Sequence, residues 1–330
     1  RIMKVGVFTE GNWFGKVIGN SDDWIEKNIR TDLAWWIALD ATHHPMMTMP
    51  SVEDNTYDLG IMILPKNNQI IEELAKHDVV GTLKSKCKVS AIMQEGPHWY
   101  FQDYPMEHQV WFYNSLVSVD VIFAHNQSDV EYYKGLTNKN HVYQNKSLMI
   151  EDNINPTTKP EDRSGVIIGG NFCRWYGGFD SYMVAQQFET EISIPSMGRR
   201  VKGEEGMPNL NHLPYMDWSD WINNLSQFKY GVHLMPTHAA GTFALNCAYH
   251  GIPCIGYKGL DTQDICFPHL SVEMGDLNKA KQLAERLKTD EDFYNDCSKI
   301  AKKRYNECFS VKEYAHNMEE ILREVINGSK

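Results

Sequence analysis

Three short stretches carry residues that can move protons or hold anions. The first is Glu95-Gly96-Pro97-His98-Trp99, which follows a β-rich run at 88–94. A Glu or a His just past the carboxyl end of a parallel strand sits where open α/β sheets bind ligands. Either can take a proton near neutral pH once its surroundings tune it. The plain alternatives are a turn-capping acid and a hydrogen-bonded structural histidine. The second stretch is Gly169-Gly170-Asn171-Phe172-Cys173-Arg174. Its glycines let backbone amides approach a phosphate, and Arg174 can offset the charge of a diphosphate. It also reads as a tight strand exit followed by a surface charge. Arg199 and Arg200 are alternative phosphate ligands, or a solvated pair. The third is Tyr230 to Tyr257, YGVHLMPTHAAGTFALNCAYHGIPCIGY: a strand, a loop rich in small residues, a helix and a second strand. The helix start at Gly241 and Thr242 offers amides and a dipole to an anion.

To hold these stretches in place, the chain must alternate strands with helices. Strands are expected at 3–8, 57–64, 88–94 and 119–125, and helices at 25–39, 70–77, 110–117 and 128–136, the last capped by Ser128. After the first strand, Glu10-Gly11-Asn12-Trp13-Phe14-Gly15 is a glycine loop without GxGxxG spacing, either a tight turn or a ligand loop. Residues 150–164 are polar, hold two prolines and lack an apolar period, which marks an interdomain connection. A second series follows: strands at 165–169, 192–197, 212–216, 230–234 and 252–257, with helices at 180–188, 219–227 and 241–250. Helices at 276–287, 292–308 and 311–326 finish it. The expected class is α/β, with parallel sheets and crossover helices in two domains, 1–150 and 165–310. The last helix, about 311–330, is a candidate to pack back on the first domain.

Composition narrows the partners. The 330 residues are 42% hydrophobic and 23% charged, enough for sizeable cores. A net charge of −11 argues against broad electrostatic gripping of nucleic acid. Seven cysteines without CxxC pairs fit free thiols in a reducing cytoplasm. No apolar run reaches the roughly 20 residues of a spanning helix, and no signal peptide is read. His43-His44 point apart on any regular element and lack a metal-ligand spacing. Ser-His-Asp, Gly-x-Ser-x-Gly and Gly-Lys-Ser/Thr patterns are absent, which removes common hydrolases and P-loop ATPases.

Two tandem halves of this kind resemble a GT-B glycosyltransferase, an α/β fold of two Rossmann-like domains facing a central cleft. The third stretch is similar to the nucleotide-sugar transferases whose signature is Glu-x7-Glu followed by a small-residue helix and Gly-Leu-Pro. Registered on Gly251-Ile252-Pro253, His238 and Asn246 stand at the two glutamates. The resemblance puts His238 at the donor sugar or a phosphate and Asn246 at the ribose, with both acids replaced. It also passes Leu213-Pro214-Tyr215-Met216 along the nucleobase; an ordinary buried strand end is the other reading. A second resemblance is to bacteriophage DNA glucosyltransferases, whose Lys-x-Lys strand ends in a base. Here Lys86-Cys87-Lys88 leads to Glu95. Their second domain opens Gly-Gly-Ser-Phe with an arginine for the diphosphate; here it is Gly169-Gly170-Asn171-Phe172, with Arg174 one place later.

These resemblances imply transfer from a nucleotide sugar, with a UDP-sugar favoured, to an acceptor hydroxyl and no firm metal signal. Glu95 and His98 are the catalytic candidates. Gly169, Gly170, Asn171, Arg174, Arg199, Tyr215, Met216, His238, Gly241, Thr242 and Asn246 are assigned to the donor. Glu10, Gly11 and Trp99 fall on the acceptor side. Trp99 begins an aromatic run that either stacks on an acceptor or serves as core. A hydroxymethylated base in phage DNA and a surface or lipid-linked glycan are both open as acceptors. A nucleotide- or sugar-binding protein without turnover and an epimerase remain competing readings.

Overall fold

The computed structural model describes residues 3–10, 31–196 and 200–328. The chain divides into two compact units. Among the described residues, one holds those up to Lys146 together with those from Tyr314 on, and the other holds those from Ser147 to Glu313. The chain therefore leaves the first unit after Lys146 and returns to it at Tyr314.

The first unit contains β1 (Val5–Thr9), α1 (Thr31–Ala38), β2 (Thr42–Pro45), β3 (Tyr57–Leu64), α2 (Asn68–Ala75), α3 (Val79–Lys86), β4 (Cys87–Gln94), α4 (Met106–Ser118), β5 (Val121–Ala124), α5 (Gln127–Thr137) and β6 (Val142–Gln144). The strands form one six-stranded sheet in the order β2-β1-β3-β4-β5-β6, with every neighbour parallel. β3 and β4 are buried along almost their whole length, as a strand covered on both faces must be. Phe8, Met62, Ile92, Phe112 and Leu116 belong to one apolar core. The aromatic run after Trp99 follows the core reading at Phe101, Tyr104 and Phe112. His43 and His44 in β2 do point apart: His43 Nε2 bonds Thr9 Oγ1 at 2.6 Å and His44 Nε2 bonds Tyr57 at 2.5 Å.

The second unit contains β7 (Val166–Ile168), α6 (Gly178–Ala185), β8 (Ile192–Ile194), β9 (Leu210–His212), α7 (Trp218–Leu225), β10 (Tyr230–His233), α8 (Thr242–His250), β11 (Cys254–Tyr257), α9 (Asp261–Cys266), β12 (Ser271–Val272), α10 (Leu277–Thr289) and α11 (Glu291–Cys308). Its sheet is again parallel and six-stranded, in the order β12-β11-β10-β7-β8-β9. Ile167, Ile168, Val232, Leu245 and Ile255 lie in its core. A final helix, α12 (Val311–Gly328), buries Tyr314, Met318, Leu322 and Val325 along one stripe, and the Tyr314 hydroxyl donates to Asn145 Oδ1 at 2.7 Å.

Several local expectations change. Asn126, not Ser128, caps α5, because Asn126 and Asp129 form a reciprocal capping box. The polar segment 150–164 is stitched onto the second unit: Asn155 N–H donates to Asn223 Oδ1 at 2.7 Å, and the Arg163 guanidinium to the His250 carbonyl at 2.9 Å. The strand expected at 212–216 ends at His212, so Tyr215 and Met216 lie in the loop beyond β9.

Candidate active site

In a doubly wound sheet, ligands bind at the carboxyl edge where the strand order reverses. In the second unit that reversal falls between β7 and β10. The two loops leaving there are 169–177 and 234–241. The Gly169 N–H donates to the Val232 carbonyl at 2.9 Å, carrying the ladder one residue past β7. A Cβ on Gly169 would lie 2.4 Å from His233 Nδ1, so only glycine lets the chain exit over that ring. At Gly177, whose φ is 66°, a Cβ would lie 1.8 Å from the Leu234 carbonyl oxygen. The two loops are thus pressed together, backbone against backbone.

Between those contacts runs the loop after β7. Gly170 continues it in a left-handed conformation. Asn171 is buried, and its Oδ1 accepts the Cys173 N–H at 3.0 Å, tightening the turn. Arg174 is exposed, with its guanidinium 4.9 Å above the Trp175 ring. Beyond β10, Gly241 caps α8 in a left-handed conformation. Gly241 offers no capping side chain, its carbonyl accepts the Thr262 hydroxyl at 2.8 Å, no acid lies in the first turn, and Thr242 is exposed. A helix start without a capping side chain or an acid, and an exposed cation, suit a diphosphate.

Two histidines flank these loops. His233 ends β10. Burial pushes its pKa down to about 4, so it is neutral, and its Nδ1 has no hydrogen-bond partner among the described residues. His238 is half-buried with its ring against Gly259, and its Nε2 is likewise unpartnered among them. Asp264 Oδ2 accepts the Gly259 N–H at 3.0 Å, and burial raises that carboxyl above the usual range. Tyr215 is 60% exposed beyond β9, with Met216 half-buried beside it.

Asn246 lies in α8 and faces inward. It is 4% exposed. Its Oδ1 accepts the Trp221 indole N–H at 2.9 Å and its Nδ2 contacts the Met149 sulfur at 3.6 Å. The Oδ1 bond ties α8 to Trp221 of α7.

In the first unit, β4 ends at Gln94, and the Glu95 N–H donates to the Leu64 carbonyl at 2.8 Å. The chain then turns through a 3-10 segment, His98–Asp103, which carries Trp99 half-buried beside His98. His98 Nδ1 lies 2.6 Å from Asp129 Oδ1. The Asp129 carboxylate is buried, and its Oδ2 accepts the Asn126 backbone N–H at 3.2 Å and Asn126 Nδ2 at 3.1 Å. The Tyr132 ring packs tilted on His98 with centroids 4.1 Å apart. His125, just past β5, stacks on Trp35. Burial holds its pKa down at about 4, while Asp129 pulls in the opposite direction. Glu10, half-buried, follows the end of β1 on the same sheet edge. Gly11 and Arg199 lie outside the described residues, and Arg200 is exposed.

The structure therefore gathers Glu95, His98 and Trp99 on one carboxyl edge. It gathers Gly169, Gly170, Asn171, Arg174, His238, Gly241 and Thr242 on the other. Asp129, Tyr132, Gly177, His233 and Asp264 escaped the sequence reading. Only Asp129 had a local signal, the Asn-x-x-Asp capping pattern before an apolar helix. Among the described residues, no three His, Cys, Asp or Glu side chains converge as a metal site. No described helix is long and apolar enough to cross a membrane.

Two parallel six-stranded sheets with flanking helices and these strand orders define the GT-B glycosyltransferase fold. HepE from Anabaena, solved with UDP and glucose, matches 98% of this chain over 100% of its own, with a TM-score of 0.68 and 10% identity. An alpha-glucosyltransferase solved with UDP and a 13-mer DNA containing an HMU base matches 97% of this chain and 99% of its own (TM-score 0.64, 11% identity). TarM from S. aureus, in complex with fondaparinux, alpha-GlcNAc-glycerol and UDP, matches 84% of this chain (TM-score 0.64, 10% identity), and the match covers 57% of the TarM chain. No protein-family model and no curated protein sequence matches the chain.

Proposed function

We propose that this chain is a glycosyltransferase that moves a sugar from a nucleoside diphosphate donor, a UDP-sugar first of all, to an acceptor hydroxyl. The observation that carries this reading is the reversal between β7 and β10. There, the left-handed Gly170 and the start of α8, which has no capping side chain, bring backbone to one sheet edge, with Arg174 in the adjoining loop. The three solved structures of the same fold that hold UDP support it. The second domain, 165–310, is the donor domain, and the first, 1–150, receives the acceptor. In the donor domain, the amides and Arg174 stabilise the charge that builds on the diphosphate as the sugar C1–O bond breaks. Tyr215 and Met216 border the base, and His238 faces the sugar or a phosphate. In the acceptor domain, His98 Nε2 takes the hydroxyl proton as the new C1–O bond forms, with Glu95 as the second candidate base. Glu10 and Trp99 line the acceptor side.

The test is nucleotide release from a panel of nucleotide sugars, run with glycan acceptors and with DNA bearing hydroxymethylated bases. Release that rises only with the modified DNA assigns a base acceptor; release that rises with a glycan assigns the other class. Neither binding nor release with any donor overturns the proposal. Glu95→Gln and His98→Gln separate the two bases, because the true one loses transfer while keeping donor binding.

A further inference from the structure

We infer that Asp129 is a positioning residue that fixes the ring tautomer of His98, so that Nε2 is held as a lone-pair acceptor reserved for a ligand hydroxyl. The two oxygens of Asp129 do different jobs. Oδ2 caps α5, taking both Asn126 donors. Oδ1 is left over from that duty and accepts His98 Nδ1 at the shorter distance, 2.6 Å. A carboxylate has only acceptors to give, so the proton of a neutral His98 must sit on Nδ1. Tyr132 lies one turn after Asp129 on the same face of α5 and packs on the His98 ring at 4.1 Å. One helix thus sets both the plane and the protonation pattern of the imidazole.

Exposure supports a ligand-directed role over a purely structural one. The His98 side chain is 27% exposed while that of Asp129 is 3% exposed. The charged partner is sealed in and the ring reaches outward. Among the described residues Nε2 bonds to nothing. His125 also lies near the Asp129 carboxylate, and burial holds its own pKa down at about 4. An uncharged hydroxyl is the chemistry that fits: it donates to Nε2, whereas a phosphate oxygen would meet a lone pair.

The hydroxyl's identity rests on the glycosyltransferase reading, but the tautomer does not, so the two fail separately. The full chain labelled with 15N-histidine is compared by ring NMR, with His98→Gln assigning the signals. The expected result is an Nδ1–H ring for His98, whether or not any sugar is turned over. In Asp129→Asn the amide oxygen keeps the Asn126 donors, so its NH2 faces His98 and should flip the ring to Nε2–H. Transfer in Asp129→Asn should fall about 10²–10⁴-fold in kcat, with donor KM nearly unchanged. The double variant with His98→Gln should be no slower than His98→Gln alone. A wild-type Nε2–H ring, or losses that multiply in the double variant, would overturn the assignment. If Asp129→Asn does not fold, the wild-type tautomer alone decides.

Discussion

The two carboxyl edges are built from opposite materials. In the first unit the edge is made of side chains: His98 on Asp129, Tyr132 on His98, Trp35 on His125. In the second it is made of backbone. Gly169 passes over His233, Gly177 abuts the Leu234 carbonyl, and α8 starts without a capping side chain. Side chains can be retuned singly and can exchange protons. Backbone amides cannot titrate, but they present fixed dipoles to an anion at no reorganisation cost. The contrast separates proton handling from charge stabilisation by construction.

That contrast predicts different ways of failing. The largest effect is expected from His98→Gln: kcat down about 10²–10⁴-fold, with melting temperature and donor KM near wild type in steady-state and thermal assays. Gly177→Ala should do the reverse and unfold the second unit. A Cβ there meets a carbonyl oxygen in a left-handed backbone, which costs about 3 kcal/mol or more, read by thermal melting with and without UDP. If Gly177→Ala melts normally and only slows turnover, the backbone-built edge is a misreading.

Acid should attack both units alike. Burial holds His43 and His125 in the first unit, and His233 and His250 in the second, at about 4. Their folded pKa values lie below the unfolded 6.5, so the stability they contribute is complete above 6.5 and is lost as pH falls toward 4. Thermal melting across that window should show both units weakening together; loss in one alone would break the symmetry. Arg174→Ala should raise donor KM about tenfold with little change in stability, measured by initial rates. The smallest effect belongs to Asn246→Ala. Losing the acceptor for the Trp221 indole should cost about 1 kcal/mol of stability while leaving donor KM untouched; a raised KM would return Asn246 to the donor site.

The long central strands were readable because parallel strands covered on both faces are continuous apolar runs, as in β3 and β4. The edge elements were not. β2 is Thr-His-His-Pro, with no apolar signal, and becomes a strand through pairing to β1 and the bonds of its histidines to Thr9 and Tyr57. α3 hid behind Gly81 and two lysines, although Asp78 caps it. β6 and β12 are too short to show a period. Glycine-bearing loops were legible because backbone geometry is written in residue type. Asp129 was not assigned to His98 because the two are 31 residues apart and meet only through α5. Asn246 shows the converse: spacing located the residue, but only packing says which way it points.

The return of the chain to its first unit at Tyr314 also sets an order of manufacture. The β1–β6 strands leave the ribosome first. The stripe of Tyr314, Met318, Leu322 and Val325 that belongs with them emerges only after the whole second unit has been made. At about 5–20 residues per second, that delay is roughly ten to thirty seconds. During it the second unit can close while the first waits unfinished, with the Asn145 side chain still lacking its tyrosine. Of the two units, the one whose strands are synthesised first is the one completed last.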